Sequence, residues 1–188
     1  MKNGSFRKWD HFDLTYSIWN YNPDLWTDSP DRHEEQQAAA IRWAFDLWSE
    51  PTSFRFERIE DGAVADIELQ WIVAPDRGDH GWANPPPSSR GQKPEDGNVW
   101  FNQYHRWTFE PRETGEQPID FLTLCAHELG HSIGLGHIAS GITSLMRSPY
   151  GGSIRNLGLY ELSCYTQLYQ SHFFCSFFLE DAPGIRCP

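Results

Sequence analysis

Residues 127–137 read His127-Glu128-Leu129-Gly130-His131-Ser132-Ile133-Gly134-Leu135-Gly136-His137. Residues four apart lie on one face of an α-helix, so His127 and His131 can bind a single Zn²⁺ without distorting the backbone. Gly134 predicts an abrupt helix end with a positive φ, after which His137 returns as a third ligand. Three nitrogen ligands leave the fourth tetrahedral position open, which is typical of a catalytic zinc rather than a structural one.

Glu128 follows the first predicted ligand directly, where its carboxylate can reach a water rather than the metal. Two histidines at this spacing are weak evidence alone, because most histidines are surface residues or satisfied core residues. The third histidine and the glycine make the pattern much more specific. It predicts Glu128 as a general base beside a metal.

The composition limits the classes of partner. The chain has 188 residues and a formal net charge of −11, which predicts one domain and argues against nucleic acid or an anionic membrane as partner. No apolar run reaches the length of a membrane span. Residues 1–6 lack the apolar core of a signal peptide. A monomer is expected.

Hydrophobic periodicity predicts a mixed α/β domain. Strands are expected at 12–22, 54–59, 65–73 and 98–102, with a loop at 75–97. A long helix is expected to begin at an Asp31 cap and to end at Pro51. Asp120 is expected to open the helix that carries the first two histidines. The apolar residues of the long helix are predicted to pack in the core: Ala38, Ile41, Ala44, Phe45 and Trp48.

The histidine motif, followed by Ser144-Leu145-Met146, resembles the metzincin signature with its downstream Met-turn. Within the metzincins the chain is most similar to the matrixins, the catalytic domains of matrix metalloproteinases. The resemblance implies an α+β metzincin fold, with a twisted, mostly parallel sheet, long helices and a zinc cleft between upper and lower subdomains. It places the catalytic domain at 1–170. It is carried by Trp9, residues 14–18, 44–49 and 65–67, the histidine motif, the Met-turn and a last helix at 157–169.

The resemblance also implies a function. A matrixin-like chain would be a zinc endopeptidase acting on protein or peptide substrates, with Met146 as an apolar floor under the metal. Thr123 and Tyr150 match positions that shape the S1′ specificity pocket, and a small residue at 123 favours a bulky apolar P1′ side chain. The family implies secretion. No propeptide precedes Trp9, so the chain is either an excised catalytic domain or lacks the usual latency.

This chain departs from the family pattern at two metal sites. His80 fits the first ligand of the structural zinc, but Trp82 and Trp100 occupy the positions of two other ligands. This second zinc is predicted to be missing. Asp66 and Asn98 retain calcium-site positions but are fewer than the six or more oxygens that Ca²⁺ takes, which leaves calcium open.

The cysteines and the tail allow alternatives. Cys125 is expected to be either a buried free thiol or bridged to Cys164, with a second bridge between Cys175 and Cys187. The aromatic extension 171–188 is expected to pack on the domain, with an interaction surface as the alternative.

Three alternatives compete with a matrixin-like enzyme, and the first, a non-matrixin metzincin, belongs to the same class and is suggested by the diverged structural-zinc loop. Ile138 replaces the small hydroxyl residue that typically follows the third histidine, which leaves a non-matrixin metzincin open. A zinc-bound but catalytically silent binding module of the same fold is the second alternative, and the intact Glu128 argues against it. A structural zinc protein is disfavoured by the open fourth position.

Overall fold

The computed structural model describes residues 7–25, 30–88, 93–138 and 143–170. The predictions for the extension 171–188, including the Cys175–Cys187 bridge, lie outside the described residues. No helix in the described part of the chain is long and apolar enough to cross a membrane.

Five strands form one sheet in the order β2-β1-β3-β5-β4. They are β1 (Asp13–Ile18), β2 (Arg55–Arg58), β3 (Ile67–Ile72), β4 (Gly81–Ala83) and β5 (Val99–Asn102). The first three pairings in that order are parallel, and only β4 runs antiparallel to its neighbour β5. The predicted mostly parallel sheet is therefore confirmed.

Three short strands were not predicted from the sequence. The predicted loop 75–97 contains β4, which is only three residues long and forms the edge of the sheet. A separate two-stranded parallel sheet pairs β6 (Trp107–Thr108) with β7 (Ile119–Asp120). Strands of two or three residues are too short to show an alternation of polar and apolar residues.

In the part of the chain that the structure describes, three α-helices accompany the sheet: α1 (His33–Ser49), α2 (Phe121–Ser132) and α3 (Leu159–Tyr169). All five predicted core residues of α1 are buried. The indole Nε1 of Trp48 donates a hydrogen bond to the Ala126 carbonyl at 2.8 Å, which fixes α1 against α2. The expected Asp31 cap is wrong. Asp31 lies in a 3-10 turn, Pro30–Arg32, and the cap residue of α1 is Arg32, without a side-chain hydrogen bond.

Cys125 is a buried free thiol, so the first of the two cysteine alternatives holds and a Cys125–Cys164 bridge is wrong. Its side chain is fully buried on the core side of α2, and burial raises the pKa of the thiol far above its usual range. A thiol in this environment stays protonated and unreactive.

Candidate metal centre and cleft

Three histidines converge at the end of α2. The Nε2 atoms of His127, His131 and His137 lie 3.0–3.2 Å from one another. Ligands 2.0–2.1 Å from a tetrahedral zinc would be about 3.3 Å apart. Among the described residues, these three form the one group of three or more metal-ligating side chains close enough to share an ion.

Backbone carbonyls fix the tautomers of two of these rings. Nδ1 of His127 donates a hydrogen bond to the Leu145 carbonyl at 2.6 Å, and Nδ1 of His131 donates to the Leu135 carbonyl at 2.7 Å. A carbonyl only accepts, so the proton sits on Nδ1 and the Nε2 lone pairs face each other. Facing lone pairs repel unless a cation lies between them, so the arrangement fits a metal ion.

Burial keeps these ligands neutral. Burial, then the neighbouring histidines, lowers the pKa of His127 to about 3, and burial and His137 lower that of His131 to about 4. Burial lowers the pKa of His137 as well. Neutral imidazole is the form that binds a metal.

Gly134 ends α2 as its position predicted. Its φ is +98°, its N–H donates to the His131 carbonyl at 2.9 Å, and the Leu135 N–H donates to the Gly130 carbonyl at 2.9 Å. This pair of bonds is a Schellman motif. The same turn places the Leu135 carbonyl beside the ring of His131. The turn that ends the helix therefore also orients this ligand.

The Met-turn packs against α2 from below the histidines. Met146 is completely buried, and its carbonyl accepts a hydrogen bond from the Ile138 N–H at 2.9 Å. A Cβ atom on Gly130 would collide with the Met146 Sδ and would lie 2.9 Å from the Trp48 ring. Gly130 is therefore required for close packing of the helix on the turn.

Gly130→Ala is expected to lower the free energy of unfolding by about 1–3 kcal/mol, because an added methyl overpacks this contact. Urea denaturation of the zinc-saturated protein measures the change. Met146→Ala should cost about 2–5 kcal/mol alone, and the double variant should lose less than the sum of the two. Strict additivity would contradict a direct Gly130–Met146 clash.

A buried carboxylate that the sequence analysis missed holds the Met-turn in place. Glu161 on α3 is fully buried and accepts hydrogen bonds from the Ser144 hydroxyl, the Met146 N–H at 3.1 Å and the Gly158 N–H at 2.8 Å. It positions the turn whose Leu145 carbonyl orients His127. The only available signal was an acidic residue in the first turn of a predicted helix, which is too common to be diagnostic.

Glu128 is 3% exposed and lines the cleft beside the histidines. Its Oε2 atom is buried and has no hydrogen-bond partner among the described residues. Burial, and then the charge of Asp79, raises the pKa of this carboxyl to about 8. A carboxylate that lacks protein donors and binds a proton readily is suited to act as a general base.

The cleft continues from the histidines into a pocket that contains both predicted specificity residues. Thr123 and Tyr150 line it together with Leu124, Leu145 and Ile154. The Thr123 hydroxyl accepts a hydrogen bond from the Ile154 N–H at 2.9 Å, which ties the helix to the far wall.

A partly buried ion pair joins this wall to the start of α2. Asp120 caps α2 by accepting from the Leu122 N–H at 3.1 Å, as its position predicted. Its carboxylate also binds the Arg155 guanidinium in two bonds of 2.8 and 2.9 Å and accepts from the Ser153 hydroxyl at 2.6 Å. Nothing in the sequence pattern indicated the partnership of Asp120 with Arg155, which lies 35 residues away.

Comparison with known proteins identifies the family. The model of the matrixin peptidase family matches residues 8–169. The chain belongs to the matrixins. Its matrixin relatives include interstitial collagenase of Oryctolagus cuniculus, 34% identical over 151 residues, and stromelysin-1 of Mus musculus, 33% identical over 168 residues. Karilysin of Tannerella forsythia is 29% identical over 161 residues. These alignments cover 76%, 83% and 79% of the chain, but only 28%, 30% and 30% of the respective relatives.

This matrixin has an aromatic stack at the positions of two expected structural-zinc ligands. The rings of Trp82 and Trp100 are nearly parallel, with centroids 6.1 Å apart, and the Arg77 guanidinium lies 3.9 Å from the centre of the Trp82 ring. His80 instead packs edge-on against His105, with 4.7 Å between ring centroids. Trp82 and Trp100 are paired in register across β4 and β5, and His80 and Trp82 also line the cleft.

Asp66 and Asn98, the two residues expected at calcium-site positions, both form hydrogen bonds within the protein. Asp66 Oδ2 accepts hydrogen bonds from the Thr15 N–H and hydroxyl, each at 2.8 Å. The Asn98 amide oxygen accepts from the Glu68 N–H at 3.0 Å, and its nitrogen donates to the Glu68 carboxylate at 3.2 Å.

Proposed function

We propose that this chain is the catalytic domain of a zinc-dependent endopeptidase. The observation that carries the proposal is the convergence of three neutral imidazoles beside the buried, unpartnered Glu128 carboxylate, at the wall of an open cleft. Membership of the matrixin family supports it. The chain spans less than a third of the length of the relatives named above, so the activity of a full-length protein is part of the proposal.

His127, His131 and His137 would hold the zinc, with Leu145 and Leu135 keeping the first two rings in the required tautomer. When bound, zinc polarises the scissile carbonyl and lowers the pKa of water. Glu128 would accept the proton of the attacking water at Oε2 and deliver it to the leaving amine. No side chain is acylated. Met146 would keep the floor of the site apolar and rigid.

The walls of the cleft support a peptide substrate with a bulky apolar P1′ residue. The small Thr123 leaves the pocket open, and Leu124, Leu145 and Ile154 provide apolar surface. On the opposite side, β4 is the edge strand of the sheet and borders the cleft. An extended substrate can pair with such an edge through its backbone.

We propose that this matrixin binds a single zinc and that side-chain contacts replace the structural zinc. Indole offers no lone pair for a metal, so Trp82 and Trp100 cannot be ligands. Asn102 also anchors the loop before β4. Its fully buried side-chain amide accepts a hydrogen bond from the Ala74 N–H and donates to the Ala74 and Asp79 carbonyls, at distances of 2.9–3.1 Å.

Metal analysis of the purified protein is therefore expected to give one zinc per chain, and His137→Ala should lose most of it. Chelation should lower the melting temperature of the wild type, because a metal that binds only the folded state stabilises it. His80→Ala is the matched control and should keep one zinc. Two zinc ions per chain, one of them lost in His80→Ala, would contradict the proposal. The amount of calcium bound per chain is measured on the same samples.

The remaining expectations rest on the resemblance. We propose a secreted, monomeric protein with its catalytic domain at 1–170, a range supported by the family match at 8–169. Disulfide bonding outside Cys125 belongs to the same proposal, and counting free thiols by mass spectrometry before and after reduction tests it.

Cleavage of a quenched fluorescent peptide library by the zinc-loaded protein tests the proposed activity. Cuts before bulky apolar residues are expected, stopped by a chelator and restored by added zinc. A folded, zinc-loaded protein that cuts no peptide would contradict the enzyme and favour the silent binding module.

A further inference from the structure

An arginine that forms no ion pair with any described residue lies in the proposed specificity pocket. Arg147 follows Met146 directly, and its backbone is fixed by a hydrogen bond from its N–H to the Ser144 carbonyl at 3.2 Å and by a bridge to Ile138. Its side chain lines the same cavity as His127 and Glu128.

The guanidinium is folded over the pocket wall rather than extended into water. It occupies the space that a side chain of residue 151 would need, since a Cβ on Gly151 would coincide with the Arg147 Nη2 and lie 2.9 Å from its Nε. Glycine at 151 thus makes room for the arginine. The Arg147 side chain is half-buried there.

The charge of Arg147 is not neutralised within the described part of the protein. It takes part in none of the ion pairs of the described residues. Asp120, below the same wall, is already bound to Arg155. The other acidic groups lining the cavity are Asp79 and Glu128, at its opposite rim and at its metal end. Arg42, Arg106 and Arg112 also take part in no ion pair of the described residues, but of these unpaired arginines Arg147 is the one that lines the cavity.

We propose that Arg147 determines specificity by binding a carboxylate at the end of the P1′ side chain. Peptides are then cleaved before glutamate as well as before bulky apolar residues. The methylene groups of glutamate would pack on Leu124 and Leu145, and its carboxylate would bind the guanidinium, whose planar geometry matches it. The inference rests on the proposed function and concerns the same cleft.

Peptides that differ only at P1′, with leucine, glutamine or glutamate, test the proposal on the zinc-loaded protein. The ratio of kcat/KM for glutamate to that for leucine is expected to fall about ten- to hundredfold in Arg147→Gln, the range for a lost charged hydrogen bond. Arg147→Lys should retain part of the preference, and 0.5 M salt should lower the wild-type ratio. Arg55→Gln removes the same charge from an exposed pair with Asp13, away from the cleft, and should leave the ratio unchanged.

The outcomes separate the two proposals. If the leucine peptide is cut but the glutamate peptide is not, or if Arg147→Gln keeps the wild-type ratio, the role of Arg147 is wrong and the endopeptidase stands. If no peptide is cut, both are overturned. Zinc content and circular dichroism of Arg147→Gln show that it folds.

Discussion

Glu128→Gln is expected to lower kcat/KM by about two to four orders of magnitude while the zinc content stays at one per chain, because glutamine keeps the size of the side chain but cannot accept the proton. The carboxylate lies beside the ligands with Oε2 free of protein donors. Steady-state cleavage of the best library peptide, with zinc measured on the same samples, provides the test.

Asp79→Asn is the matched control, because it removes a carboxylate that lines the same cleft and whose charge acts on Glu128. We expect a change in kcat/KM of less than about tenfold, since Asp79 acts on Glu128 only through its charge and is itself paired with Arg77 at 3.0 Å. If Glu128→Gln kept more than a tenth of the wild-type kcat/KM, Glu128 would not be the general base. If Glu128→Gln lost its zinc, the fall in activity would result from the missing metal rather than from the missing base.

Asp120→Ala is expected to lower the free energy of unfolding by about 3–5 kcal/mol, because it leaves the Arg155 guanidinium without its partner in a partly buried site. It also removes the cap of α2 and the acceptor for Ser153. Urea denaturation of the zinc-saturated protein measures the loss.

Asp13→Ala is the control for this second prediction. Asp13 pairs with Arg55 at 3.2 Å, but both side chains are more than 75% exposed, so we expect a loss within about 1 kcal/mol. Equal losses in the two variants would show that the Asp120–Arg155 pair contributes no more than a surface contact. The double variant Asp120→Ala/Arg155→Met should be more stable than Asp120→Ala alone, because no unpaired charge remains.

The parts of this protein that sequence predicted are those that depend on local spacing. The i, i+4 spacing of His127 and His131 fixes their common helix face, and Gly134 predicts the helix end because few other residues adopt its φ. The core residues of α1 follow from helical periodicity. The cap at Asp31 failed because the local turn before α1 placed Arg32 at the cap position instead.

The parts that escaped prediction depend on long-range contacts. The carbonyls of Leu145 and Leu135 orient the histidines through backbone positions, which carry no residue-type signal. Glu161 and the Asp120–Arg155 pair are recognisable only after α3 and the pocket wall have packed against α2. The edge strand β4 is defined by its hydrogen bonds to β5 rather than by its own three residues.

The pocket wall at residues 147–152 is anchored by hydrogen bonds at both ends. At one end Glu161 holds the Met146 N–H, and at the other Asp120 holds Ser153 and Arg155. Arg147 still bridges to Ile138, the neighbour of His137, so we expect the part of the segment after it, 148–152, to be exchangeable with the least effect on the metal ligands. For protein engineering, this segment is a candidate for replacement. Grafted sequences of different length or charge should change the substrate specificity while the metal centre stays intact.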